Sequence, residues 1–190
     1  MERILVETTS FSIGNKFLRV IWNLVVLVMI RPFSLNIFRK WRCTILRVFG
    51  AKIGQNSNVH SSVKIWAPWN LELGNYSSIG PKTHIYNQGR IIIGDLCIIS
   101  QKSYLCASTH DFTLANFPLV RKPIKIEDQV WIAADAFIGP GVKIGEGVVV
   151  GARAAVFKNI EPWTVVGGNP AKFIKSRNLK VNGGEGSIAK

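Results

Sequence analysis

The chain has 190 residues, 47% of them hydrophobic, and 24 lysines and arginines against 11 acidic residues give it a formal charge of +13. This length and apolar content exclude a disordered chain and fit one domain with an extension, and three cysteines without metal-ligand spacing exclude a disulfide frame. The charge asks for an anionic partner, either a phosphorylated cofactor or acidic lipid; nucleic acid is not expected, because no helix-turn-helix, zinc or aromatic-sheet signature accompanies it.

Residues 1–52 hold nine basic residues against Glu2 and Glu7. The segment starts polar and shows no small-residue cleavage motif after its apolar stretch, so no secretory leader is expected. With reduced thiols at Cys43, Cys97 and Cys106, this points to the cytoplasm. Val20 to Ile30 is an apolar run broken at Asn23, short of the roughly 20 residues that span a bilayer. After Pro32, the residues Ile37, Phe38, Trp41, Ile45, Leu46 and Phe49 recur at helical spacing, with Arg39, Lys40, Arg42 and Arg47 between them. Two helices joined near Arg31 and Pro32 are expected. Their apolar faces either cover an end or a face of the domain that follows, or rest with the basic side chains on the cytoplasmic membrane.

From residue 53 to 167 a different period takes over. Ile53-Val59-Ile65, Leu73-Ile79-Ile85, Ile93-Ile99-Leu105, Ile126-Ile132-Ile138 and Ile144-Val150-Val156 are five triplets with a spacing of six in each. Six is neither the 2.0 of a strand nor the 3.6 of a helix; it predicts an all-β parallel β-helix of about five to six coils, with one hexapeptide per face. Glycine often follows the aliphatic residue, as a corner with positive φ would favour. Four positions after it stands a small or β-branched residue, so large and small side chains alternate around each coil.

The interruptions all follow the third member of a triplet: short ones after Ile65 and Ile85, and a long one, the loop 106–125, after Leu105. One corner of the prism therefore collects them, and residues 20 apart should stack there, Trp66 with Tyr86 and Cys106, and Asn70 with Arg90 and His110. Such a corner is where a site is expected. His110, in Ser108-Thr109-His110-Asp111, suits a general base that takes a proton from an alcohol attacking a thioester. Either Asp111 or a backbone carbonyl would orient the ring. His60, His84 and His110 point in directions that do not converge, so no metal is expected.

Ser108-Thr109-His110-Asp111, Phe117-Pro118-Leu119, Lys122-Pro123-Ile124, Val130-Trp131-Ile132, Gly139-Pro140-Gly141-Val142 and Gly168-Asn169-Pro170-Ala171-Lys172 together resemble the hexapeptide-repeat O-acetyltransferases. Phe49-Gly50-Ala51-Lys52-Ile53-Gly54 and Pro68-Trp69-Asn70-Leu71 look like the branch that acetylates exopolysaccharides such as colanic acid. The resemblance spans about residues 15–177. It implies a left-handed β-helix, a homotrimer, and acetyl-CoA bound between neighbouring subunits as the acetyl donor to a sugar or glycan hydroxyl. By likeness, His110 is the catalytic base, Trp131 packs beside the pantetheine arm, and the backbone at Ala134 and Ala152 meets its amides. Lys158, Lys172 and Lys175, the last two in a basic tail over 168–190, fall near the CoA phosphates. The polar groups that hold the acceptor in galactoside and maltose acetyltransferases fall here at Gly80 and Gln88, so those acceptors are not implied. Trp66, Trp69 and Tyr86 offer sugar-stacking faces instead, with Asn70, Asn87, Gln88 and Asp111 as hydrogen-bonding groups. A small acceptor (serine, an oligosaccharide or an antibiotic) and a non-catalytic β-helix module are the rival readings.

Overall fold

In the computed structural model of the protein, which describes residues 11–179, the six-residue period closes into three faces of short parallel strands. The first face stacks Lys52–Ile53, Leu71–Leu73, Ile91–Ile93, Ile124–Ile126 and Lys143–Ile144. The second climbs from Asn58–Val59 to Thr164–Gly167, and the third from Lys64–Ile65 to Ala155–Val156. The registers are those the spacing predicts. Ile53 pairs with Leu73, Leu73 with Ile93, Ile93 with Ile126 and Ile126 with Ile144. Five coils are topped by a sixth, in which Ile160 bridges to Ile144 and Val166 pairs with Val150.

All fifteen repeat aliphatics are buried, and each contributes about 1.5–3 kcal/mol. The small residues four positions on are buried as well, and the polar ones reach the coil above. Ser57 Oγ donates to the Gly74 carbonyl, Ser77 Oγ to that of Gly94, and Cys97 Sγ to that of Glu127. A second polar stack joins coils at the first corner. There Asn75 Oδ1 accepts from Gln55 N, Asp95 Oδ1 from Asn75 N, and Asp128 Oδ1 from Asp95 N, at 2.7–2.8 Å.

The corner glycines do not carry the positive φ that the sequence reading assigns to them. Left-handed backbone falls two residues later, at Asn56, Tyr76, Lys82, Leu96, Gly141, Gly147 and Arg153, and at Lys102, Gln129 and Asp135 of corners that have no such glycine. The glycines provide room between coils. A Cβ on Gly54 would stand 2.5 Å from the Asn75 nitrogen, and one on Gly80 2.9 Å from that of Gln101.

Two helices precede the solenoid, as expected, but the first is longer than its apolar run. Helix α1 (Ile13–Val25) starts at a Ser12 cap and continues through a π-helical turn, Val26–Ile30. It lies along the third face, where buried Trp22 donates its indole N–H to the Ile65 carbonyl at 2.9 Å. Helix α2 (Arg39–Val48) covers the N-terminal end of the solenoid with Cys43, Ile45 and Leu46. Arg42, which the sequence places among the outward basic groups, is 1% exposed. Its guanidinium donates to the carbonyls of Val59, Phe33 and Leu35 and to Asn58 Oδ1, so a buried charge is met by four acceptors. At the other end the tail is not wholly loose: Lys172–Ser176 folds back antiparallel on Thr164–Gly167. The remaining parts of the 1–52 and 168–190 segments, residues 1–10 and 180–190, lie outside the described residues.

Candidate active site

The third coil leaves the prism after Ala107, whose N–H donates to the Tyr86 carbonyl, and returns at Lys122, whose N–H donates to the Ala107 carbonyl. Between them the chain forms a β-hairpin, narrower than the loop 106–125: Ser108–His110 runs antiparallel to Leu119–Arg121, with His110 opposite Leu119. The expected stack of Asn70, Arg90 and His110 does not form. The hairpin carries His110 outward, and Ile124 N bonds the Arg90 carbonyl instead, while the Arg90 guanidinium pairs with Glu72. The other stack holds, with Tyr86 in register with Cys106.

Phe117 sits at φ +44°, and its carbonyl accepts from His110 Nδ1 at 2.5 Å. A carbonyl only accepts, so Nδ1 bears a proton, and in the neutral ring Nε2 keeps its lone pair. The ring is exposed, so the edge that bears Nε2 is not used within the fold. Asp111 does not orient it. The Asp111 carboxylate accepts from the Thr113 hydroxyl and N–H, at 2.6 and 2.9 Å, and these donors hold its pKa below the ordinary value. Its expected role toward a substrate is therefore weakened, because one oxygen is committed to the hairpin's own turn.

Among the expected acceptor residues, the structure separates two kinds. Asn87 is fully buried, and its amide is used twice on Ala67, accepting from N–H and donating to C=O. Asn70 donates to the carbonyls of Asn87 and Gln88. Both hold the corner together; the buried amide of Asn87 is spent on Ala67, which speaks against its assignment to the acceptor, while half-buried Asn70 commits only its Nδ2. Gln88 is different. Its Nε2 donates to the Tyr86 hydroxyl at 2.9 Å, and its Oε1 is buried with no hydrogen-bond partner. A buried amide oxygen without a donor costs about 1–3 kcal/mol unless a ligand supplies one. Trp69 lies half-buried in the Pro68–Asn70 turn of the same corner.

Sequence reasoning missed a cation–aromatic stack beside the hairpin. Phe11 packs on Trp66 at 4.6 Å between ring centroids; Arg121 lies over Phe11 at 5.7 Å and Arg19 over Trp66 at 3.9 Å. No spacing rule joins residues 11, 19, 66 and 121; only the packing of α1 on the third face does.

The expected donor-binding residues lie elsewhere on the chain. Trp131 is on the second face, exposed, its indole N–H on Ser100 Oγ at 3.0 Å. It pairs in register with Val149, Val149 with Val165, and Val165 with Lys175. Lys172 extends the same strand, opposite Gly167. Ala134 and Ala152 fall on the next corner in successive coils, where Arg153 N bonds the Ala134 carbonyl. Lys158 is exposed just beyond the last strand of the third face, on the corner from which the His110 hairpin also leaves. One chain thus carries His110 on one corner, with Lys158 two coils further along that corner, and Trp131, Ala134, Ala152, Lys172 and Lys175 around the second face and the corner after it. No group of three potential metal-ligating side chains occurs among the described residues.

A β-helix of hexapeptide coils, with an outward histidine on a hairpin that breaks one coil, defines an acyltransferase of the solenoid type. The family model "Bacterial transferase hexapeptide (six repeats)" matches residues 123–158. WcaF of Escherichia coli (strain K12), a protein assigned to colanic acid biosynthesis as an acetyltransferase, is 44% identical over 168 residues, 88% of this chain and 92% of its own. A hexapeptide-repeat acetyltransferase of Vibrio cholerae, solved with acetyl-CoA, is 27% identical with a TM-score of 0.78, covering 87% of this chain and 90% of that one. A galactoside acetyltransferase solved with coenzyme A, 23% identical, shares the fold at a TM-score of 0.80 over 95% of this chain and 92% of its own. The fold is the left-handed β-helix. This chain belongs to the hexapeptide-repeat O-acetyltransferases, in the branch that includes the colanic acid biosynthesis acetyltransferases.

Proposed function

We propose that the protein transfers acetyl from acetyl-CoA to a hydroxyl of a sugar in an exopolysaccharide or cell-surface glycan precursor, in the cytoplasm and as a homotrimer. The observation that carries the reading is the His110 Nδ1 bond to the Phe117 carbonyl, which leaves Nε2 free as a base. His110 Nε2 takes the acceptor's proton as its oxygen attacks the thioester carbonyl. The tetrahedral intermediate then collapses, the carbon–sulfur bond breaks, and the proton passes from the imidazolium to the departing thiolate. Gln88 Oε1, paired through its amide with Tyr86, accepts from a neighbouring acceptor hydroxyl. The exposed indole of Trp131, the small residues Ala134 and Ala152, and the lysines 158, 172 and 175 suit a pantetheine arm and its phosphates.

The trimer is supported by the separation of His110 from Trp131, Ala134, Ala152, Lys172 and Lys175 on one chain, since a second copy would bring the two sets together. The glycan acceptor is supported by the 44% identity to WcaF over nearly its whole length. The chloramphenicol acetyltransferase of Escherichia coli is 58% identical, but over only 52 residues, 27% of this chain and 25% of its own, so an antibiotic acceptor has weaker support. Thiol release from acetyl-CoA with a panel of sugars and glycan precursors tests the proposal. The His110→Ala variant should lose about 10²–10⁴-fold in kcat and keep its melting temperature. Full activity in that variant, or turnover only with chloramphenicol or serine, overturns it.

A further inference from the structure

The outer side of α1 is an apolar stripe that no described residue covers. Ile13, Phe17, Val20, Leu24, Leu27 and Val28 recur every three or four residues and are 57–86% exposed. They face away from Trp22, Val25, Val26 and Met29, which pack on the solenoid. Leu35 and Ile37, just after the helix, are 67% and 82% exposed. By length and composition, Ile13–Ile30 is enough to cross a membrane. Spanning would break the Trp22 bond to Ile65, the Trp41 indole bond to the Met29 carbonyl, and the inner-face packing. A helix held along its inner side and bare along its outer side suits a surface.

The segment that bears the stripe is cationic. Lys16, Arg31, Lys40 and Arg47 are exposed, and no aspartate or glutamate occurs between Glu7 and Glu72. That field attracts anionic headgroups and repels the same segment of a second copy.

We propose that α1 lies flat in the headgroup region of an anionic membrane, its outer stripe in the lipid and its flanking cations on the phosphates. Phe11, at the start of α1, packs on Trp66 beneath Arg121 of the hairpin, so docking sets the His110 hairpin beside the lipid surface. A lipid-linked sugar would meet the base there; that consequence rests on the acetyl-transfer reading, and the docking does not.

Co-sedimentation of the full chain with phosphatidylglycerol–phosphatidylcholine vesicles at low salt tests it, with phosphatidylcholine vesicles as the neutral arm. Binding should require phosphatidylglycerol and weaken as salt rises. Leu24→Glu with Leu27→Glu should weaken it about tenfold or more, and Lys16→Gln with Lys40→Gln about fivefold per charge removed. Both variants should keep the melting temperature, the oligomeric mass and the turnover of a soluble acceptor. No binding at low salt, unchanged binding in either variant, or a smaller oligomeric mass in the glutamate variant (the face then belonging to a second copy) overturns the proposal.

Discussion

The first face of the solenoid and the corner that precedes it are made by the same chain in the same coils, yet they are built on opposite rules. Along the face each coil repeats its neighbour: Leu71, Ile91 and Ile124 stack, as do Leu73, Ile93 and Ile126. At the corner no two coils agree. The first makes a 3₁₀ turn over Pro68–Asn70, the second a step stapled by Asn87, and the third the His110 hairpin. Repetition stores stability in many equivalent contacts, while the irregular corner gives individual groups individual surroundings. Stability and chemistry should therefore separate by mutation.

The largest effect that would break this comparison comes from the face. Ile126→Ala, at 1% exposure, should cost about 2–5 kcal/mol, read from urea unfolding, with kcat of the folded fraction unchanged. A loss of kcat at full stability would show that the face also serves the chemistry. Next comes the corner. On the proposed function, Gln88→Leu should raise KM for the acceptor roughly tenfold through the loss of one ligand hydrogen bond, while leaving the melting temperature equal or higher, because the orphaned Oε1 goes with it. A lower melting temperature with an unaltered KM would make Gln88 another staple like Asn87.

The smallest effect concerns the polar stack at the first corner. Donation from Asn75 N–H and from its side chain holds the Asp95 carboxyl below its ordinary pKa. A carboxyl with a lowered folded pKa contributes stability that is complete above the ordinary aspartate range. That contribution is lost as pH falls through the lowered value. Melting temperatures from neutral to strongly acidic pH should therefore fall less in Asp95→Asn than in the native chain. Parallel curves would remove Asp95 from the account.

The solenoid was legible because burial imposed a period on fifteen positions at once. The glycines show where that reading went astray: a residue marks a corner equally well by φ or by lack of room, and only the stacked coils distinguish Gly54 from Asn56. The helix α1 ran past its apolar run because Ser12 caps it and its first turns need only one buried face. The strand Lys172–Ser176 pairs antiparallel and so belongs to no repeat. At the corner, spacing located His110 but not its partner, since the Phe117 carbonyl reaches it through a left-handed residue seven positions on. Asn87 and Gln88 are adjacent amides of similar chemistry, and sequence alone cannot tell which one the fold consumes.

The bond from His110 to the Phe117 carbonyl has one more implication. The tautomer of the base is set by a main-chain atom, which every amino acid possesses. The side chain at 117 is therefore free to vary, provided the residue tolerates a positive φ. Glycine or asparagine there should keep the imidazole aligned, whereas proline, locked near −65°, would turn the carbonyl away. The hairpin tip is thus a place where a side chain can be exchanged around a fixed proton.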